Sequence, residues 1–343
     1  MIGLLITGVG IPFLGLTAMN LYGGCYKKFF ARIGAMPGFL MTVLIMGLIG
    51  PFGAMPRCIA LSYSTTKFFI PGLSLPLFSL LSCGIIFLFT IRESRLIDIL
   101  GKYLTPFLLA SLLIIIIKGI AMSEAMPHLE QPLWTSFISG VTQGYFTMDL
   151  LGAFFFSSVV LVCLKDNMHP HDQNDVKKLV NLSVRASLLA AFLLGTIYLG
   201  FSLVAAYQSG SLHGIPADQL ITQISLNVLG PYAGLIACAA VALACLTTAI
   251  ALAAVSAEFI QHDLSNERVS YATGLFITLI LTFGISTLNF SGILQLLAPI
   301  LQVFYPAFIV LALCNFLHKL TGFPFVKVPF FATFALTLLL RFL

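Results

Sequence analysis

Long apolar runs separated by short polar connections make up almost the whole chain. About twenty consecutive apolar residues cross a bilayer as a helix. On that rule the pattern predicts spans near 2–22, 38–63, 74–91, 103–121, 135–163, 183–207, 231–259, 269–288, 293–317 and 323–341. The last has the shortest apolar core, Val328 to Leu340, and crosses only with Lys327 and Arg341 snorkelling toward the head groups. Two connections are longer than the rest. Residues 164–182 form a polar segment, whereas 208–230 place Leu220, Ile221, Ile224 and Val228 on one helical face. That spacing predicts a short amphipathic helix over the mouth of the bundle. No Pro/Gly/Ser-rich linker divides the chain, so a single membrane domain is expected.

Composition excludes a soluble alternative. Hydrophobic residues are 59% of the chain and charged residues 8%, against roughly 25% charged in a soluble domain. In lipid every backbone N–H and C=O needs an internal partner, so the runs must be helices. The apolar composition requires lipid around the chain, and the net charge of +5 is small and does not suggest nucleic acid. The cysteines (Cys25, Cys58, Cys83, Cys163, Cys238, Cys245, Cys314) are scattered and read as small buried apolar residues.

Charge also sets direction. Lys27, Lys28, Arg32, Arg92, Arg95, Lys102, Lys165, Lys177, Lys178, Arg185, Arg268, Lys319 and Lys327, thirteen of the 17 basic residues, fall in alternate connections. The positive-inside rule puts those connections in the cytoplasm. Met1 then lies outside, and one further helix ahead of it is the expectation.

Polar groups at membrane depth cost about 2.5–3.5 kcal/mol each on insertion scales, so they mark places with partners or a purpose. The fifth run opens Gly140-Val-Thr-Gln-Gly144-Tyr-Phe-Thr147-Met148-Asp149-Leu-Leu-Gly152. Glycines beside polar side chains suit a discontinuous helix lining a cavity. The alternative is a helix end near the outer interface whose glycines serve close packing. In the seventh run Thr247 and Thr248 can offer oxygens to a small hard cation, or simply bond back to the preceding turn. Gly50-Pro-Phe-Gly-Ala-Met-Pro56-Arg57 predicts a broken or kinked second span whose arginine needs an acceptor. His169, His171, Asp172 and Asp175 imitate a metal cluster but read as a solvated loop. No catalytic triad, phosphate loop or dinucleotide fingerprint is present, so the chain does not read as an enzyme and implies no cofactor.

GYFTMDLLGA (Gly144 to Ala153) resembles the signature of the branched-chain amino acid:cation symporters. LLITGVGIPFLGL (Leu4 to Leu16), GPFGAMPR (Gly50 to Arg57), ACLTTAIALAAVSAEF (Ala244 to Phe259) and PILQVFYP (Pro299 to Pro306) resemble further helices of that family, across almost the whole chain. The resemblance implies transport of leucine, isoleucine and valine with Na⁺ or H⁺ across the bacterial cytoplasmic membrane. It implies an all-α bundle of two inverted five-helix repeats, the leucine-transporter-like fold. Residues 1–121 would be a remnant of the first repeat, 135–317 the second repeat and 323–341 an extra helix, with the family's first and last helices lacking. It assigns Gly144, Tyr145, Thr147, Met148 and Asp149 to the substrate, and the Ala244 carbonyl with the Thr247 and Thr248 oxygens to a cation. Ser64 stands where the family often has a glutamate, which removes one partner for Arg57. The alternative to an active symporter is a truncated, transport-inactive remnant or a membrane scaffold.

Overall fold

The computed structural model describes residues 1–91, 95–122, 132–166, 168 and 175–342, with side chains described except at 95–104, 176, 177 and 342. The expected loop cluster of His169, His171 and Asp172 lies outside the described residues. Asp175, beside it, accepts the Lys178 N–H at 3.2 Å.

Among the described residues there is helix and no strand. Six helical stretches are long and apolar enough to cross a membrane: Ile2–Leu21, Ala35–Lys67, Leu133–Asp166, Lys178–Tyr207, Leu220–Leu264 and Asn289–Thr321. Leu75–Ile91, Thr105–Ala121 and Tyr271–Ser286 are shorter apolar helices, and Lys327–Phe342 is a 16-residue helix. Each of the ten predicted spans overlaps helix, while six meet the length criterion. Outward-facing Leu188, Leu189, Phe192, Ile117 and Phe276 have no place on a water-facing surface. The chain is an all-α integral membrane protein.

The helices used below are α1 (Ile2–Leu21), α2 (Ala35–Ile49), α3 (Ala54–Lys67), α4 (Leu75–Ile91), α5 (Arg95–Ala121), α6 (Leu133–Thr147), α7 (Asp149–Asp166), α8 (Val176–Tyr207), α9 (Leu220–Phe259), α10 (Tyr271–Ser286) and α11 (Asn289–Thr321). They form two compact units that interleave in sequence. One comprises Met1–Ile45, Glu130–Leu199 and Ala298–Leu343; the other comprises Met46–Leu129 and Gly200–Leu297.

In the first unit, α1 lies along α6 with its first half and along α7 with its second. Small residues let the backbones meet. A Cβ on Gly3 would run into the Phe137 carbonyl, and one on Gly15 into the Leu150 side chain. Lipid supplies no hydrophobic drive for helices to associate, so close van der Waals contact of this kind does the work. Beyond α1, Gly23 and Gly24 turn the chain at φ +67° and +69°. There Phe29, Phe30, Phe154 and Phe308 pack edge to face, and Asn315 donates to the Phe29 carbonyl at 3.2 Å.

In the second unit, α9 packs against α3, α4, α5 and α10. The second predicted span breaks where the prolines foretold. Helix α2 ends at Ile49 and α3 begins at Ala54, with the Phe52 N–H on the Gly47 carbonyl at 2.9 Å and the Arg57 N–H on the Gly53 carbonyl at 3.1 Å. Arg57 sets its guanidinium over the Phe290 ring, 5.6 Å from the centroid, a cation–π contact. Ser64 donates its hydroxyl proton to Asp218. The amphipathic helix read from 208–230 is present as the first part of α9. Its Ile224 and Val228 are buried against Ile115, Val204 and Leu212, with Leu220 at the edge. It turns into the long helix at Gly230, whose φ of 80° and ψ of 177° lie in a region essentially reserved for glycine, just before Pro231.

Gly230→Ala is expected to lower stability by roughly 1–3 kcal/mol, the cost of forcing a Cβ into that backbone region. Gly84→Ala, in α4 with open space around it, is expected to be neutral or slightly stabilising. Thermal unfolding of the two variants in detergent checks the contrast.

Candidate binding site at the broken helix

The break in the fifth predicted span falls at a single residue. Helix α6 ends at Thr147, Met148 adopts left-handed φ 58° and ψ 17°, and α7 starts at Asp149. Met148 sits near the middle of the 34-residue apolar stretch Leu133–Asp166. A left-handed non-glycine residue costs about 1–2 kcal/mol and persists only where its surroundings hold it. Met148 is buried, 4% exposed.

The glycines have a different duty. The backbone is helical at Gly140, Gly144 and Gly152. Gly140 and Gly144, four residues apart, present a flat face to α1: Cβ atoms there would press on the Leu4 N and on the Thr7 hydroxyl. Thr7, nearly buried, donates to its own Gly3 carbonyl at 2.9 Å and to the Val141 carbonyl at 3.0 Å. The segment therefore combines close packing at Gly140 and Gly144 with a break at Met148.

The polar groups freed by the break find partners locally and from two other helices. Thr147 donates to the Gly144 carbonyl at 2.9 Å, and its oxygen accepts the Asp149 N–H at 3.4 Å. The Leu150 N–H donates to the Tyr305 hydroxyl of α11 at 3.3 Å. The Tyr305 ring is fully buried and stacks on Tyr145 with centroids 4.8 Å apart. Tyr198 of α8 donates its hydroxyl proton to the Asp149 carboxyl at 2.8 Å. A hydrogen bond to a charged group contributes about 1.5–3 kcal/mol, enough to offset much of the cost of placing an aspartate at this depth. Helix α1 makes room for this arrangement. It contains a π-helical turn, Ile6–Gly10, closed by the Ile11 N–H on the Ile6 carbonyl, just ahead of Pro12, which has no N–H to give. Gly8 in that turn lies against the Tyr198 ring, 3.1 Å from where its Cβ would stand.

Four of the five residues read as substrate-contacting (Tyr145, Thr147, Met148 and Asp149) thus gather at one break, with Gly144 underneath as a packing residue. Thr7, Tyr198 and Tyr305 escaped the sequence reading. The usable signal was that a phenol inside an apolar run, as in Gly-Thr-Ile-Tyr198-Leu, must find an acceptor. Ala244, Thr247 and Thr248 belong to the other unit and make a local motif. Both hydroxyls donate to the Ala244 carbonyl, at 3.0 and 2.8 Å. That carbonyl is engaged twice, so the hydroxyl oxygens are the freer ligands. Among the described residues no group of His, Cys, Asp and Glu is placed to hold a metal ion.

Comparison with known proteins decides the family. The family model described as branched-chain amino acid transport protein matches residues 1–341. The chain belongs to this family. It is a family of membrane transport proteins, not of enzymes. The branched-chain amino acid permease BrnQ of Bacillus subtilis is 28% identical over 92% of this chain and 73% of its own length. The permease BraB of the same organism is 30% identical over 93% and 72%. The branched-chain amino acid transport system 2 carrier protein of Pseudomonas aeruginosa is 28% identical over 95% and 75%. No solved structure matches the chain.

Gly144→Ala forces a methyl group against Thr7 and the Gly8 backbone. It is expected to cost about 1–3 kcal/mol, the usual range for overpacking, read as a lowered unfolding midpoint. Gly152→Ala, with only the edge of Phe156 at 4.0 Å, is expected to leave the midpoint nearly unchanged.

Proposed function

We propose that the protein is a secondary transporter of leucine, isoleucine and valine, driven by a Na⁺ or H⁺ gradient and working by alternating access in the cytoplasmic membrane of a bacterium. The observation that carries this reading is the break at Met148. It lies inside the family's GYFTMDLLGA segment, midway along a membrane-crossing stretch, with hydroxyl, carboxyl and aromatic groups gathered round it. Broken helices at mid-membrane are how transporters meet a zwitterion with backbone and side-chain polar groups while apolar neighbours take its side chain. The names of the relatives specify the substrate class. A ten-span bundle of inverted five-helix repeats, the leucine-transporter-like fold, is the architecture that goes with this mechanism.

For the coupling ion, the reading assigns the Thr247 and Thr248 oxygens to Na⁺. Their protons point to the Ala244 carbonyl, which leaves their lone pairs for a cation.

Uptake of radiolabelled leucine into proteoliposomes holding the chain, with an imposed Na⁺ gradient, an imposed H⁺ gradient or neither, tests the proposal. Uptake above the no-gradient level is expected under one gradient, with isoleucine and valine competing. No gradient-dependent uptake under either condition contradicts it. If Na⁺ is the coupling ion, Thr247→Ala with Thr248→Ala is expected to raise the Na⁺ concentration for half-maximal uptake about tenfold or more. An unchanged Na⁺ dependence removes those residues from the site.

A further inference from the structure

The break presents an asymmetry of charge that names the part of the substrate it takes. The leading N–H groups of a helix ordinarily favour an anion. Here the Asp149 N–H is taken by Thr147 and the Leu150 N–H by Tyr305, and the first residue of α7 is itself an acid. The negative end of the α6 dipole also lies at the break, although the Gly144 and Tyr145 carbonyls already accept from the Thr147 hydroxyl and the Met148 N–H. Each of these favours a positive group.

Tyr198 fits this asymmetry. Its hydroxyl is a donor to one oxygen of Asp149 at 2.8 Å, which orients the carboxyl. Its ring is seated against Gly8 in the π-helical turn of α1, where a larger residue would push it aside. The Tyr198 phenol donates to Asp149, and the Tyr305 hydroxyl takes the adjacent Leu150 N–H. Helix α1 brings no ionisable side chain along Ile2–Leu21.

Resting on the transport reading above, we propose that Asp149 receives the ammonium group of an α-amino acid and that Tyr198 is the positioning residue that aims it. Tyr198 touches the ligand through Asp149 and not directly. The site therefore selects for a primary ammonium beside an apolar side chain, and the substrate carboxylate is met elsewhere.

Three ligands for the reconstituted protein separate the possibilities: leucine, leucinol (ammonium without carboxylate) and 4-methylpentanoate (carboxylate without ammonium). Each is measured as an inhibitor of radiolabelled leucine uptake at saturating Na⁺ and fixed pH, in the unaltered chain and in Tyr198→Phe. Leucine and leucinol are both expected to weaken about tenfold in Tyr198→Phe, the factor of one compromised charged hydrogen bond, while 4-methylpentanoate does not change. Gly8→Ala, which shifts the Tyr198 ring without removing the hydroxyl, is expected to move the first two ligands in the same direction by a smaller factor. Equal weakening of all three ligands would mean a merely structural role and overturns the proposal. Weakening of 4-methylpentanoate alone makes the site a carboxylate receptor and also overturns it. So does an unchanged affinity for all three at saturating Na⁺, with a separate Na⁺ titration of leucine uptake shifted in Tyr198→Phe, which would give Asp149 to the coupling cation. These outcomes leave the transport reading intact; only absence of leucine uptake in the unaltered chain removes both.

Discussion

A helix interrupted inside a bilayer leaves N–H and C=O groups that no water is present to satisfy, and the arrangement around Met148 answers that constraint. One left-handed residue separates α6 from α7. The donors this exposes at Asp149 and Leu150 go to Thr147 and Tyr305. Each partner is itself fixed. Thr147 is tied back to Gly144, and Tyr305 is buried and stacked on Tyr145. The strain at Met148, about 1–2 kcal/mol, is of the same size as one or two of these bonds. The break is held by its surroundings and is not a weak point of the sequence.

Close packing underlies the network. The Thr7 hydroxyl reaches Val141 across helices only because Gly144 has no side chain in the way. Tyr198 reaches Asp149 only because Gly8 leaves its ring a seat. Small residues on α1 and α6 therefore connect directly to the polar chemistry at the break. A methyl group added at either glycine changes the site without touching any residue that would meet a ligand.

Much of this architecture is written in the pattern of residues. Apolar run length is enough to place helices, because lipid admits no other backbone. The prolines around Phe52 announce the turn between α2 and α3, and the spacing of Leu220, Ile224 and Val228 gives the short helix before Gly230. The segment from Gly140 to Gly152 announces that something interrupts the fifth span, without fixing the residue at which it does so. Local propensity makes glycine the natural break, whereas packing against α1 uses the glycines and tertiary contacts hold methionine in the left-handed region. Tyr198 and Tyr305 lie 49 and 155 residues from their partners. No local pattern encodes such pairings, and only the fold brings them together. Arg57 is a similar case: its aromatic partner Phe290 is remote in sequence. Ser64 is another such case, its hydroxyl meeting Asp218 from the connection before α9.

The central claim is that the interruption at Met148 is where a branched-chain amino acid binds. Amide hydrogen exchange of the protein in nanodiscs, with and without saturating leucine, tests it most directly. Leucine is expected to slow exchange in a peptide covering residues 144–152 while leaving the flanking parts of α6 and α7 unchanged. Protection confined to other segments, with 144–152 exchanging at the same rate in both conditions, would contradict the claim.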